Sequence, residues 1–305
     1  MNEGVRRIAS DQPAGPGYRT GPPELRGEAV LTAGTRIEPG TDYGFFTDTT
    51  VCIGCKACEA ACKEWNQLPM DAFGFKGTSY DNSGELSATT WRHVAFVEEF
   101  GGGNGSGAGR WLFMSDVCKH CEQAGCLEAC PTGAIVRTEF GSVLIQEDVC
   151  NGCRYCVPSC PFGVITVAEG QDGTAHKCTL CYDRLKVGLE PACAKACPTD
   201  SIQFGALADL RERAERRLQE VRERGEAGAY LYGVPGGPGA TGGVGSLHCF
   251  FLLTERPEAY NLPAAPELPS QRVVPAFLAT AAAAAFWGVT TAALIRGSRQ
   301  ARRER

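Results

Sequence analysis

The sequence predicts an α+β chain: two tandem cysteine-bound modules of short strands and helices, followed by a single C-terminal membrane helix. Three observations carry this. Sixteen of the seventeen cysteines fall into four quartets. The hexapeptides CPTGAI, CPFGVI and CPTDSI recur, beginning at Cys130, Cys160 and Cys197. A 23-residue segment, 273–295, carries no charge.

The quartets are Cys52, Cys55, Cys58 and Cys62; Cys118, Cys121, Cys126 and Cys130; Cys150, Cys153, Cys156 and Cys160; and Cys178, Cys181, Cys193 and Cys197. Three close cysteines and a fourth after three further residues, often followed by proline, form the bacterial ferredoxin pattern. A cubane has four iron corners, and a short loop wraps only three. The fourth thiolate comes from a distant stretch, so two quartets serve two clusters reciprocally. Sixteen cysteines therefore imply four [4Fe-4S] clusters in tandem ferredoxin-like dicluster modules. Disulfides would not require this repeated grammar, and the chain is long enough to build a core without them. Tetrahedral zinc uses pairs of pairs and gives no reason for a third close cysteine or the trailing proline. A structural zinc-binding protein is the distant alternative.

A length of 305 residues suits one large domain or two small ones. A net charge of −5 leaves no basic field, which argues against nucleic acid as a partner. Metal–thiolate bonds replace part of the hydrophobic core, so metal removal is expected to unfold much of the chain.

Taken in order, residues 1–45 are rich in glycine, proline and charge and read as a tail. Arg6 and Arg7 lack the apolar stretch of a twin-arginine signal. The four-cluster domain is expected over 46–205, as two dicluster modules. Residues Trp91–Phe100 read as a strand, 101–109 as a flexible loop, and Trp111–Met114 leads into the second quartet. The isoleucine closing each hexapeptide starts a short strand, with Ser142–Gln146 and Ile165–Ala168 as partner strands. Leu207, Leu210, Ala214, Leu218 and Val221 recur at helical spacing, and Gly225 caps that helix. The glycine-rich loop 233–246 has no ordered GxGxxG, so no dinucleotide site is expected. Residues Leu247–Leu253 form a strand and 257–269 a proline-rich linker, so 206–270 is read as helix, loop and linker. His93, His120, His176 and His248 are scattered. Cys249 reads as a lone buried thiol. No residue has the setting of a catalytic acid, base or nucleophile.

At 1.5 Å per residue, segment 273–295 is long enough to cross a ~30 Å hydrocarbon core. Arg296, Arg299, Arg302, Arg303 and Arg305 follow it, and Arg272 alone precedes it closely. The positive-inside rule places the tail 296–305 in the cytoplasm and the cluster domain outside the cytoplasmic membrane. With no export signal of its own, the folded domain is expected to cross attached to a partner that carries one.

The stretches CIGCKACEAACKEWN (52–66), CKHCEQAGCLEACPTGAI (118–135), CNGCRYCVPSCPFGVI (150–165) and KCTLCYDRLKVGLEPACAKACPTDSIQFG (177–205) carry a family resemblance. The chain resembles the iron–sulfur β subunit of membrane-bound respiratory formate dehydrogenase over about residues 43–295. The resemblance implies an electron-transfer subunit, itself non-catalytic, between a molybdopterin (Mo or W) catalytic subunit and a membrane cytochrome b subunit that reduces quinone. It implies cluster 1 at Cys52, Cys55, Cys58 and Cys197, and cluster 2 at Cys62, Cys178, Cys181 and Cys193. Cluster 3 falls at Cys118, Cys121, Cys126 and Cys160, and cluster 4 at Cys130, Cys150, Cys153 and Cys156. The quartets are shared with the electron-transfer subunits of hydrogenases and other molybdenum oxidoreductases, which stand as the near alternative. Lys56, Lys119, Arg154 and Lys177 lie beside ligand positions and are candidates for raising cluster potentials, or for solvent and partner contacts.

Overall fold

The structure is a computed structural model that describes residues 37–70, 75–77, 79–99, 110–167 and 173–304. Most of the expected N-terminal tail, Arg6 and Arg7, and the loop 101–109 lie outside the described residues.

The centre is a four-stranded sheet. Strand β1 (Tyr43–Asp48) is buried at every position, and the sequence reading drew no strand there. Helix α1 (Ala57–Asn66) follows it. A hairpin of β2 (Arg92–Glu99) and β3 (Arg110–Val117) comes next, in antiparallel register from Arg92↔Val117 outward. Strand β2 is the expected strand within Trp91–Phe100, and its mate β3 takes in Trp111–Met114, where the sequence reading drew no strand.

Next come α2 (Gly125–Glu128), β4 (Ile135–Arg137) and β5 (Val143–Ile145), then β6 (Thr166–Val167) and β7 (Ala175–His176). Strand β4 starts at the isoleucine of the first hexapeptide and pairs with β5. Strand β6 starts just after that of the second and pairs with β7. Short helices α3 (Tyr182–Lys186) and α4 (Ala192–Lys195) carry the chain to β8 (Ile202–Ala206), which opens at the third such isoleucine. The three sequence repeats thus become three strand starts.

Helix α5 (Leu207–Glu223) leads to β9 (Tyr230–Tyr232) and β10 (Cys249–Leu253). The sheet order is β8-β1-β10-β9, with β1 antiparallel to β8 and parallel to β10. Leu207, Leu210, Ala214 and Val221 of α5 pack on Phe46, Phe250 and Leu252, and Leu218 is partly buried beside them. The helix ends in a Schellman motif: Gly225 N–H donates to the Arg222 carbonyl and Glu226 N–H to that of Val221, with Gly225 at φ +110°. Glycine is required at Gly44, where a Cβ would stand 1.8 Å from the backbone oxygen of His248. The proline-rich stretch 257–269 is held in place. Its Tyr260, Leu262 and Leu268 join Met114, Tyr232 and Phe251 in one core cluster.

Helix α6 (Ser270–Arg303) is 34 residues long, about 51 Å at the standard rise. Its apolar part is long enough to span a membrane, and 0% of that window is buried. Val273, Phe277, Leu278, Phe286, Trp287 and Leu294 all face outward, as they would toward lipid.

Candidate metal centres

The cysteine loops share a backbone device. Gly54 and Lys56 in the first quartet, and Gly152 and Arg154 in the third, take positive φ. His120 does so in the second, and Leu180 and Cys181 in the fourth. Alternating the hand of the backbone curls a short loop so that N–H groups and thiols face one point. Leu180 N–H lies 3.3 Å from Cys178 Sγ, and Ala175 N–H 3.5 Å from Cys150 Sγ.

The loops and helices gather the sixteen thiols into four groups. Cys52, Cys55, Cys58 and Cys197 line a cavity of about 280 Å³ between the first loop and the turn after α4. Cys118, Cys121, Cys126 and Cys160 line another of about 330 Å³. Cys62 lies among Cys178, Cys193 and Cys181; burial first, then those thiols, pushes its own thiol far up. Cys156 is pushed up to about 11 by burial first, and Cys150, Cys153 and Cys130 are its thiol neighbours. Each group draws three cysteines from one stretch and one from another.

The groups form a row. Cys193 of the second group acts on Cys58 of the first. Cys118 of the third acts on Cys178 of the second. Cys156 of the fourth acts on Cys126 of the third. Cys55 and Cys153, at the two ends, are exposed, while the middle groups contain no exposed cysteine.

The donor set fits clusters rather than single ions. Among the described residues, no three His, Cys, Asp or Glu side chains lie close enough to hold one metal ion. The first and third groups instead each line a shared hollow with three thiols from one loop and one from another. Buried donors near these thiols have no hydrogen-bond partner among the described residues: Nε and Nη2 of Arg92, and Nε2 of His120. His120 Nδ1 accepts from Val143 N–H at 3.0 Å, so Nε2 carries the proton in the neutral ring, and the residue lines the third group's cavity. Burial, followed by the charges of Lys177 and His248, keeps His120 neutral.

The motif CKEWN has a structural explanation. Asn66 Nδ2 donates to the Cys62 carbonyl at 2.8 Å and lies 3.6 Å from Cys62 Sγ. Trp65 Nε1 donates to Asp183 at 2.8 Å, and the Arg184 guanidinium lies 4.2 Å above the indole ring. The first quartet's helix is thereby clamped to the fourth quartet's helix α3.

The cations beside the ligand positions sort by burial. Lys119 is buried, bonded to the Asp116 carboxylate, donating to the Val117 carbonyl at 2.8 Å and flanked by the rings of Phe162 and Phe251. Lys177 is buried and donates to the carbonyls of Val143 and Cys178. Burial opposes its charge, but Cys118, Cys126, Cys178 and Cys160 outweigh burial and raise its pKa. Lys56 pairs with Glu59 and Asp81 at the surface edge, and Arg154 is exposed. Cys249 is fully buried on β10, where Cys178 and Cys118 both act on it, between the second and third groups. The sequence reading missed Arg92, which is buried against the first two groups. Sequence offers no clear signal for it, since β2 also carries His93, Glu98 and Glu99.

Paired cysteine cavities on short βα loops define a double [4Fe-4S] dicluster protein. Family models of the 4Fe-4S dicluster domain match residues 51–134 and 109–207. The nitrate-inducible formate dehydrogenase iron–sulfur subunit of Escherichia coli (strain K12) is 41% identical over 225 residues, covering 72% of each protein. The formate dehydrogenase iron–sulfur subunit of Haemophilus influenzae is 40% identical over 227 residues, covering 72% of this protein and 68% of its own length. The B component of the anaerobic dimethyl sulfoxide reductase of Escherichia coli (strain K12) is 37% identical over 178 residues, covering 57% of this protein and 78% of its own length. The protein belongs to the family of formate dehydrogenase iron–sulfur subunits. It is an iron–sulfur electron-transfer subunit of the kind found in formate dehydrogenase and related molybdoenzymes, with two dicluster domains that account for four [4Fe-4S] clusters.

Proposed function

We propose that this protein relays electrons, one at a time, from a molybdopterin catalytic subunit that oxidises formate to a cytochrome b subunit that reduces quinone. The row of four cysteine groups, exposed only at its two ends, carries this reading. Bound [4Fe-4S] clusters supply one-electron redox centres. In this reading Cys52, Cys55, Cys58 and Cys197 hold cluster 1, and Cys62, Cys178, Cys181 and Cys193 hold cluster 2. Cys118, Cys121, Cys126 and Cys160 hold cluster 3, and Cys130, Cys150, Cys153 and Cys156 hold cluster 4. No cysteine of the two middle centres is exposed, while each end centre has one exposed cysteine. Exposed Ile53 and Tyr155 flank Cys55 and Cys153 there and suit partner docking.

The domain division follows: a cluster domain over 46–205, a supporting segment over 206–270, a membrane helix over 273–295 and a basic tail from 296. The helix docks beside the cytochrome subunit in the bilayer, with the arginine-rich end cytoplasmic and the clusters outside. The likeness to a dimethyl sulfoxide reductase component supports one second reading, a relay for another molybdenum oxidoreductase.

Affinity capture from mildly solubilised membranes tests this. The expected eluate holds a large molybdopterin subunit, about sixteen irons per relay subunit, four per cubane, and formate-dependent dye reduction. Sixteen irons with a different catalytic partner and no formate activity would move the substrate to the second reading. Zinc in place of iron would refute the relay.

A further inference from the structure

Arg92 opens β2, and its side chain is 1% exposed. Its Nη1 donates to Ser115 Oγ at 2.9 Å, and that hydroxyl lies 3.2 Å from Cys58 Sγ. The guanidinium carbon lies 4.7 Å from the centre of the Phe45 ring. Among the described residues, Nε and Nη2 are buried with no hydrogen-bond partner. Among the described residues no carboxylate pairs with it.

A buried, unpaired cation is strongly destabilising, so something anionic must face it. The thiols that act on it are those of Cys193, Cys58, Cys178 and Cys249, and a guanidinium keeps its charge in any protein setting. Three of those four are ligand positions, one in cluster 1 and two in cluster 2. A cluster gains a negative charge when it accepts an electron. A fixed positive charge beside a cluster favours that reduced form.

We propose that Arg92 is the counter-cation shared by the first two clusters, raising the reduction potential of the centres bound at Cys58 and at Cys178 and Cys193. The inference rests on the ligand assignment above. It makes Arg92 a tuning residue that keeps the first step of the relay level, because one charge acts on both of its centres.

The test is a potentiometric titration, followed by electron paramagnetic resonance, of the intact complex carrying Arg92→Gln or Arg92→Met. Clusters 1 and 2 are expected to titrate lower, with at least a tenfold loss of reduced fraction at fixed poise, about 59 mV for one electron. Cluster 4 serves as the unshifted control, and Arg92→Lys restores part of the shift. Separately, wild-type complex labelled with ¹⁵N-arginine is expected to show a ¹⁵N coupling at a reduced cluster. That measurement decides the matter where the variants do not retain iron. Unchanged potentials in a fully loaded variant, or no arginine coupling in wild type, overturn the proposal. The ligand assignment fails on a different reading: fewer than about sixteen irons, or fewer than four reducible centres, in wild type.

Discussion

Asp48 ties the first cysteine loop to the rest of the fold, and its removal should loosen that loop alone. The residue ends β1, four positions before Cys52, and is 1% exposed. Its Oδ1 accepts from Thr50 N–H at 2.9 Å and Thr50 Oγ1 at 2.6 Å, capping the turn that presents Cys52. Its Oδ2 accepts from Arg217 Nε of α5 at 2.7 Å, and its backbone oxygen accepts from Ser201 Oγ at 2.7 Å. Asp48→Ala deletes the cap, worth about 1 kcal/mol, and a charged hydrogen bond, worth about 1.5–3 kcal/mol. The Arg217 side chain is 20% exposed and regains water, so the full penalty for breaking a buried pair does not apply. The net cost is about 3 kcal/mol, or roughly two orders of magnitude in the local opening equilibrium.

Hydrogen exchange of the Thr50–Cys52 amides reads this directly and avoids a two-state assumption that bound cofactors would violate. Exchange there should accelerate roughly a hundredfold, and loaded iron should fall from about sixteen toward about twelve as one cubane is lost. Asp48→Asn keeps an acceptor and should lose about half as much. A cycle with Arg217→Ala should show a coupling of about 1 kcal/mol. If exchange at these amides is unchanged in Asp48→Ala, the turn is held by the covalent path into α1 and the reasoning fails.

Gly152 sits at φ +70°, and a Cβ there would lie 2.3 Å from the Gly173 backbone oxygen; Gly152→Ala should cost the protein about four irons, one cubane, by elemental analysis. Burial first lowers His248 to about 4. A histidine with a depressed folded pKa stabilises the fold above its unfolded value and loses that contribution as pH falls from about 6.5 to about 4, up to about 3 kcal/mol. His248→Gln should flatten denaturation midpoints across that window. Leu210 of α5 is completely buried against the sheet, so Leu210→Ala should destabilise the fold by about 2–5 kcal/mol in denaturant titration, with the iron content of properly folded protein unchanged. A protein ending at residue 269 should leave the membrane fraction on cell fractionation and retain about sixteen irons, because α6 is exposed along its length.

What could be read in advance follows from where each constraint is stored. The cysteine grammar is local and covalent, so the cluster number, the cysteine-bearing loops and the strand starts after each hexapeptide were legible from spacing alone. The apolar face of α5 and the uncharged length of α6 were legible because helical periodicity and bilayer thickness act residue by residue. Strand β1 was not, because its six residues form a strand only by inserting between β8 and β10, both from far along the sequence. Arg92 was the hardest to read. Hydropathy treats an arginine in a strand as an outward-facing residue, since burying a cation without a carboxylate is ordinarily prohibitive. Here the protein presents it with thiols from three distant stretches, at Cys58, at Cys178 and Cys193, and at Cys249, none of which neighbours it in sequence. A buried arginine at the start of a strand that packs near a cysteine quartet is the kind of position that sequence pattern alone does not reveal. If the proposal for Arg92 holds, its countercharge belongs to the metal centre and not to any carboxylate that a sequence pattern could pair with it.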